Sequence, residues 1–148
     1  MKELTLITPD HLHSVALLEK ECFADPWSES ALQLLCKPHA LGLILPPAEN
    51  EACAKAYAGM TYALDEASVT NVAVRPDCRR QGLARCLMLE LMHRASQQGA
   101  ERMYLEVRAS NDPAIALYRS LGFETCGRRP HFYQNPTEDA LLMCASLD

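Results

Sequence analysis

Three places in the sequence pair reactive residue types with a setting that would aim them. The first is Arg79-Arg80-Gln81-Gly82-Leu83-Ala84-Arg85, which follows the apolar run Val72-Ala73-Val74 and precedes a long helical stripe. Amides at a helix N-terminus collect anions, and neighbouring arginines add charge, so this loop is suited to a phosphate or pyrophosphate. Gly82 lets the backbone approach such a ligand with no Cβ in the way, and Ala84 keeps the first helical turn small. The alternative is an exposed basic loop that opens an ordinary crossover helix. The second place is Glu106, in Met103-Tyr104-Leu105-Glu106-Val107, where strand alternation turns it away from Leu105 and Val107. In a central strand a carboxylate is costly unless it is paired or functional, which makes Glu106 a candidate general base. A solvated carboxylate on a sheet face is the competing reading. The third is Tyr118, on the helix that begins directly after the Glu106 strand. A phenol of ordinary pKa ~10 could return a proton to a leaving thiolate of pKa ~8.5, or it could be a core tyrosine with a satisfied hydroxyl.

Other chemistries find less support. The five histidines (His11, His13, His39, His93, His131) lack metal-ligand spacing, and no metal is expected. No Ser-His-Asp order suggests itself, and Gly82 is not followed by the Lys-Ser/Thr pair of a Walker loop. The seven cysteines form no CxxC pair; most are expected in apolar surroundings as reduced thiols, which points to an intracellular protein. A net charge of −5 argues against general nucleic-acid binding, which needs a basic face. No apolar run approaches the ~20 residues of a membrane span and no signal peptide is visible, so a cytoplasmic location is expected.

The elements that must position these residues can be read in order. Leu4 to Thr8 reads as a short strand. His11 to Cys22 has helical spacing at Leu12, Val15, Ala16, Leu18 and Cys22, with Thr8 or Asp10 as a cap. Phe23-Ala24-Asp25-Pro26-Trp27-Ser28 is a loop into a second short helix capped by Ser28; Trp27 either faces a substrate or anchors the loop. Strands are expected at 41–45, 52–64 and 67–74, a helix from Leu83 to about Gly99, and a strand at 103–107, with a right-handed crossover making the last two strands parallel. Asn111 or Asp112 caps the next helix and Gly122 stops it. Strands at 123–127 and 140–145 close the chain, joined by Arg128 to Asp139; within that segment His131, Phe132 and Tyr133 could line a pocket, with a surface loop as the default. One mixed α+β domain over residues 1–148 is expected.

Together, Asn71-Val72-Ala73-Val74, Arg79-Arg80-Gln81-Gly82-Leu83-Ala84 and the segment from Asn111 to Phe123 resemble the GNAT acyltransferase family. The last segment matches the family's N-x-x-A-x-x-L-Y-x-x-x-G-F signature through Asn111, Ala114, Leu117, Tyr118, Gly122 and Phe123. Four further runs are Phe23-Ala24-Asp25-Pro26-Trp27-Ser28, Leu64-Asp65-Glu66-Ala67, Leu105-Glu106-Val107-Arg108-Ala109-Ser110-Asn111 and Glu138-Asp139-Ala140. They are similar to the bacterial branch that acetylates the N-terminal alanine of a ribosomal protein, the eighteenth of the small subunit.

The resemblance implies a strongly twisted, mainly antiparallel mixed sheet with two splayed central parallel strands and helices on both faces. It implies acetyl-CoA in the gap. The main chain of Val72, Ala73 and Val74 would pair with the pantetheine arm, and Arg80, Gln81, Gly82, Leu83, Ala84 and Arg85 would hold the pyrophosphate. Asn111 would bond near the thioester, with Glu106 as proton acceptor and Tyr118 as proton donor. The acceptor would be a ribosomal-protein N-terminus, attacking directly in a ternary complex. A protein lysine or small amine as acceptor, or a non-catalytic acyl-CoA-binding module, are the alternatives. No direct nucleic-acid or membrane partner is implied, and the enzyme would be a monomer or weak dimer. The N-terminal helices with Trp27, and the segment from Arg128 to Tyr133, would shape the acceptor site.

Overall fold

The computed structural model describes residues 3–147. Among them are seven strands: β1 (Thr5–Leu6), β2 (Ala40–Leu45), β3 (Ala56–Ala63), β4 (Glu66–Val74), β5 (Arg102–Arg108), β6 (Glu124–Tyr133) and β7 (Glu138–Ser146). Four α-helices accompany them: α1 (Leu12–Cys22) and α2 (Glu29–Leu32) between β1 and β2, α3 (Leu83–Gln97) between β4 and β5, and α4 (Asp112–Ser120) between β5 and β6. The strands form one sheet in the order β1-β2-β3-β4-β5-β7-β6. Every neighbouring pair is antiparallel except β4 and β5, the pair linked by α3. This is the expected mixed sheet with a parallel pair at its centre.

Two apolar clusters cover the two faces. Leu83, Leu87, Met88, Leu91 and Ala95 of α3, with Ile115 and Tyr118 of α4, pack on Met103, Leu105 and Val107 of β5 and Met143 of β7. On the other face Leu12, Val15, Ala16 and Leu18 of α1, with Leu32 and Leu35, pack on Ile44, Tyr57 and Ala73. Full burial of one such Leu or Met is worth about 1.5–3 kcal/mol, enough to fix each helix to its face.

The central pair does not stay paired. β4 and β5 match only at Glu66–Arg102, Ala67–Met103 and Ser68–Tyr104; beyond that, β4 runs on to Val74 and β5 to Arg108 apart. A bulge in β4 begins there. Its register against β3 shifts between Gly59–Asn71 and Met60–Val69, leaving Thr70 as the extra residue. A Cβ on Gly59 would stand 2.7 Å from both a Leu35 methyl and Thr70 Oγ1, so only glycine fits opposite the bulge. The extra residue reverses the alternation. Ala67 and Val69 face the α3 side before it, Val72 and Val74 face that side after it, and Ala73 faces α1.

Three expectations are corrected. The segment from Arg128 to Asp139 is mostly strand: β6 and β7 form a long hairpin, so His131, Phe132 and Tyr133 lie in or beside paired strand and not in a loose surface loop. Its exposed positions are mostly polar, with Pro130 and Phe132 the exceptions up to Tyr133, so no apolar alternation marks them; pairing with β7 and ion pairs supply the order instead. The β3 strand starts at Ala56, because residues 52–55 are taken up by the turn after Pro46-Pro47. Among the cysteines only Cys78 is buried. Cys36, Cys86 and Cys126 are exposed, and Met88 fills the place in the α3 stripe expected for Cys86.

Candidate active site

The anion loop is shaped by two residues in the left-handed region, Arg80 at φ 64° and Gly82 at φ 75°. Gly82 is the N-cap of α3, and a Cβ added there would meet nothing within 4 Å, so the space beside its α-carbon is open. Alternating left-handed residues before a helix N-terminus turn successive amides inward, the form of an anion-binding nest. Around it the arginines have different tasks. Arg79 donates from Nε to the Val74 carbonyl (3.0 Å) and so holds the end of β4, whereas Arg85 donates from Nη1 to Ser120 Oγ (2.9 Å) on α4. Arg75, nearly buried, donates to Asp77 Oδ1 (2.7 Å), Glu51 and the Cys53 carbonyl, which fixes the turn leaving β4. Hydrogen bonding to Asp77 first and then to Glu51 raises its pKa, so this structural guanidinium keeps its charge.

Where β4 parts from β5, the edge from Val69 to Val74 faces the gap instead of a strand. Unpaired main-chain groups on such an edge invite an extended ligand as an added strand. The residues present therefore fit a long thioester carrier: an open amide nest at one end and a free strand edge leading away from it.

Glu106 projects from β5 to the α1 face, opposite Leu105 and Val107, as the alternation predicts. It pairs across Leu142 with β6: Arg129 Nε stands 2.5 Å from Glu106 Oε2. The pair is off hydrogen-bond alignment, since that buried oxygen has no hydrogen-bond partner among the described residues. Tyr118 is buried on the α4 face of the same gap, edge-on to Phe123 at 5.9 Å. Burial first, and then the nearby Tyr133, push its phenol up to about 12. Asn111 caps α4, its Oδ1 accepting from the Ala114 amide at 3.3 Å, so that part of its side chain serves the helix.

Tyr133, read in the sequence as one of three residues that could line a pocket, lies near enough to both candidates for charge to be felt between them. Its phenol is pushed up to about 12, by burial first and next by the Glu106 charge, while Tyr118 in turn feels Tyr133. Arg108 lies over its ring at 4.6 Å and also donates to the Gln134 and Pro136 carbonyls and to Glu138. Glu138 accepts from the Ser110 amide (2.7 Å), which ties the hairpin to the start of α4. The hairpin tip reaches across to the first loop, where Asn135 donates to Asp25 at 2.8 Å. Two loops thus meet over the face that carries Glu106.

Sequence reasoning missed two features. One is the hairpin network, whose partners lie 26 to 30 residues apart. The other is Glu19, fully buried in α1, which accepts from the Trp27 amide (2.8 Å), the Tyr57 hydroxyl (2.5 Å) and Asn71 Nδ2 (2.9 Å). A charged residue on the apolar face of α1, between Leu18 and Cys22, was the one available signal.

A nest before a long helix, a bulged strand parting from its parallel neighbour, and a carboxylate beside that gap together define an acyl-transfer fold. Residues 12–123 match the model of the acetyltransferase (GNAT) family, and the chain belongs to that family, whose members use acetyl-CoA. Over 145 residues it is 37% identical to the [ribosomal protein bS18]-alanine N-acetyltransferase of Escherichia coli, covering 97% of this chain and 96% of that protein. The crystal structure of the ribosomal-protein-S18-alanine N-acetyltransferase from E. coli superposes with a TM-score of 0.90 at 34% identity, over 100% of this chain and 95% of that one. NAA60 of Arabidopsis thaliana in complex with acetyl-CoA shares the fold, with a TM-score of 0.86 at 17% identity over 97% of each chain. No helix among the described residues is long and apolar enough to cross a membrane.

Proposed function

We propose that this protein transfers the acetyl group of acetyl-CoA to the α-amine of an N-terminal alanine, and that its acceptor is the ribosomal protein bS18. The carrying observation is that the likeness to the E. coli alanine N-acetyltransferase extends through cofactor-side and acceptor-side elements alike, over 97% of the chain. In this reading residues 1–148 act as one domain in the cytoplasm, as a monomer or weak dimer.

Acetyl-CoA supplies an activated thioester when bound. Its binding residues would be the amides from Arg80 to Arg85 at the pyrophosphate and the main chain of Val72, Ala73 and Val74 along the arm. Asn111 would act near the reactive end with whatever its capping bond leaves free. Glu106 would accept the proton of the α-ammonium, directly or through a water; with a pKa of ~7.7–8.0, that ammonium needs only a mild base near neutral pH. Tyr118, pushed up to about 12, keeps its proton across the neutral range and can give it to a departing thiolate. The hairpin and the Trp27 loop would hold the acceptor over Glu106, so that the amine attacks within a ternary complex.

The test is a panel of peptides copying ribosomal-protein N-termini, assayed with acetyl-CoA beside lysine-containing peptides and small amines. The reading expects turnover on the alanine-starting bS18 peptide above all others. No turnover on that peptide, or preference for a small amine, would sink it.

A further inference from the structure

Glu19 takes no part in the chemistry above, yet it is a fully buried carboxylate with three donors aimed at it. Oε1 accepts from the Trp27 amide, and Oε2 accepts from the Tyr57 hydroxyl and from Asn71 Nδ2. Burial raises its pKa, and the bonds from Tyr57, Trp27 and Asn71 pull it back. An ionised carboxylate is acceptor-only, whereas a glutamine would present a donor to one side of this cluster; the arrangement asks for glutamate. Burying a charge is expensive, and an apolar residue would anchor α1 at less cost, so its placement calls for a task that packing does not meet.

The partners show what that task is. Trp27 belongs to the loop whose Asp25 meets the hairpin tip at Asn135. Asn71 follows the bulge residue Thr70, at the start of the β4 edge that faces the gap. Tyr57 lies on β3 directly opposite Ala73. One carboxylate thus bonds to the acceptor-side loop and to the strand assigned to the pantetheine arm. We propose that Glu19 is a positioning residue that couples these two elements, so that filling the β4 edge sets the Trp27 loop for the acceptor. The inference rests on the assignment of the β4 edge to acetyl-CoA.

Trp27 is the only tryptophan in the chain, so its emission reports the loop directly. The experiment titrates acetyl-CoA into the full-length protein and follows heat and tryptophan emission in parallel, first on the wild type and then on Glu19→Gln. Wild-type emission should respond to acetyl-CoA. In Glu19→Gln the calorimetric Kd should stay within about threefold, the emission response should fall at least about fivefold, and KM for the alanine-starting peptide should rise about tenfold, the range of ordinary site-to-site coupling. A Glu19→Gln response as large as the wild type's overturns the proposal, and so does a wild type whose emission ignores bound acetyl-CoA. If Glu19→Gln fails to fold, Asn71→Leu cuts the strand end of the link while Glu19 keeps the Trp27 amide. Loss of the response supports the coupling, and retention overturns it. A wild type that relays acetyl-CoA binding to Trp27 but acetylates no alanine peptide supports this inference and removes only the acceptor assignment.

Discussion

On one side of the gap between β4 and β5, what is offered is main chain: a left-handed turn at Arg80 to Gly82 and a strand edge left bare by its neighbour. On the other side lie long side chains that bond across sequence. Arg108 spans Tyr133, Gln134, Pro136 and Glu138, Arg129 reaches Glu106, and Asn135 reaches Asp25. Main-chain recognition suits a donor whose arm and diphosphate are the same in every turnover. Side-chain networks can be retuned one residue at a time, which would suit a half that chooses an acceptor, as proposed above. The two halves should therefore respond separately to mutation.

The largest separation is expected at Glu106. Replacing it with Gln should lower kcat by about a thousandfold, the middle of the range for removing a general base, with acetyl-CoA affinity nearly unchanged. Parallel steady-state kinetics and calorimetry check this; an equal loss of cofactor affinity would mean that Glu106 builds the cofactor side. Gly82→Glu should do the reverse. It forces a side chain into the left-handed region at a cost of roughly 1–2 kcal/mol and sets an anion beside the diphosphate, weakening acetyl-CoA binding by about a hundredfold. Because the space around Gly82 is open, Gly82→Ala should show only the backbone part of that loss, measured by the same titration. Tyr118→Phe should lower kcat about a hundredfold while both KM values hold, the low end of what loss of a proton donor costs. Unchanged turnover would leave Tyr118 as core alone.

The smallest effect is one of pH. Glu138 titrates below its ordinary 4.5, through hydrogen bonding from Ser110 first and Arg108 after it. Asp139 titrates below 3.8, through the His131 amide first and then Arg128. With folded values depressed, their contribution is full above the ordinary carboxylate range and is lost as pH falls through the lowered values. Hydrogen exchange on acidification should show the β6–β7 hairpin loosening before α3 does. A hairpin that outlasts α3 would contradict the view of this half as held by ion pairs.

The same division decides what could be read from the sequence. The glycine loop before α3, the α4 cap at Asn111 or Asp112, the α3 stripe and the aim of Glu106 away from Leu105 and Val107 are local patterns, set by residues within a turn or two of one another. The hairpin and Glu19 are not. Glu19 meets Tyr57 and Asn71 at separations of 38 and 52 residues, and nothing near α1 in sequence marks those partners. The length of β6 was hidden for a related reason. An exposed strand held by Arg128–Asp139 and Arg108–Glu138 pairs carries no apolar alternation to betray it. Where the gap opens was also illegible, because it depends on an extra residue in β4 and on the missing side chain at Gly59.

That extra residue sets the line of the strand. Thr70 stands unpaired between the Val69–Met60 and Asn71–Gly59 pairs. Removing it would join those pairs into one regular ladder, with Val72 and Val74 still facing α3 and Ala73 still facing α1. What would go is the bend and added twist that a bulge gives, at the point where β4 parts from β5. A one-codon deletion there would straighten the strand while leaving every side chain on its own face.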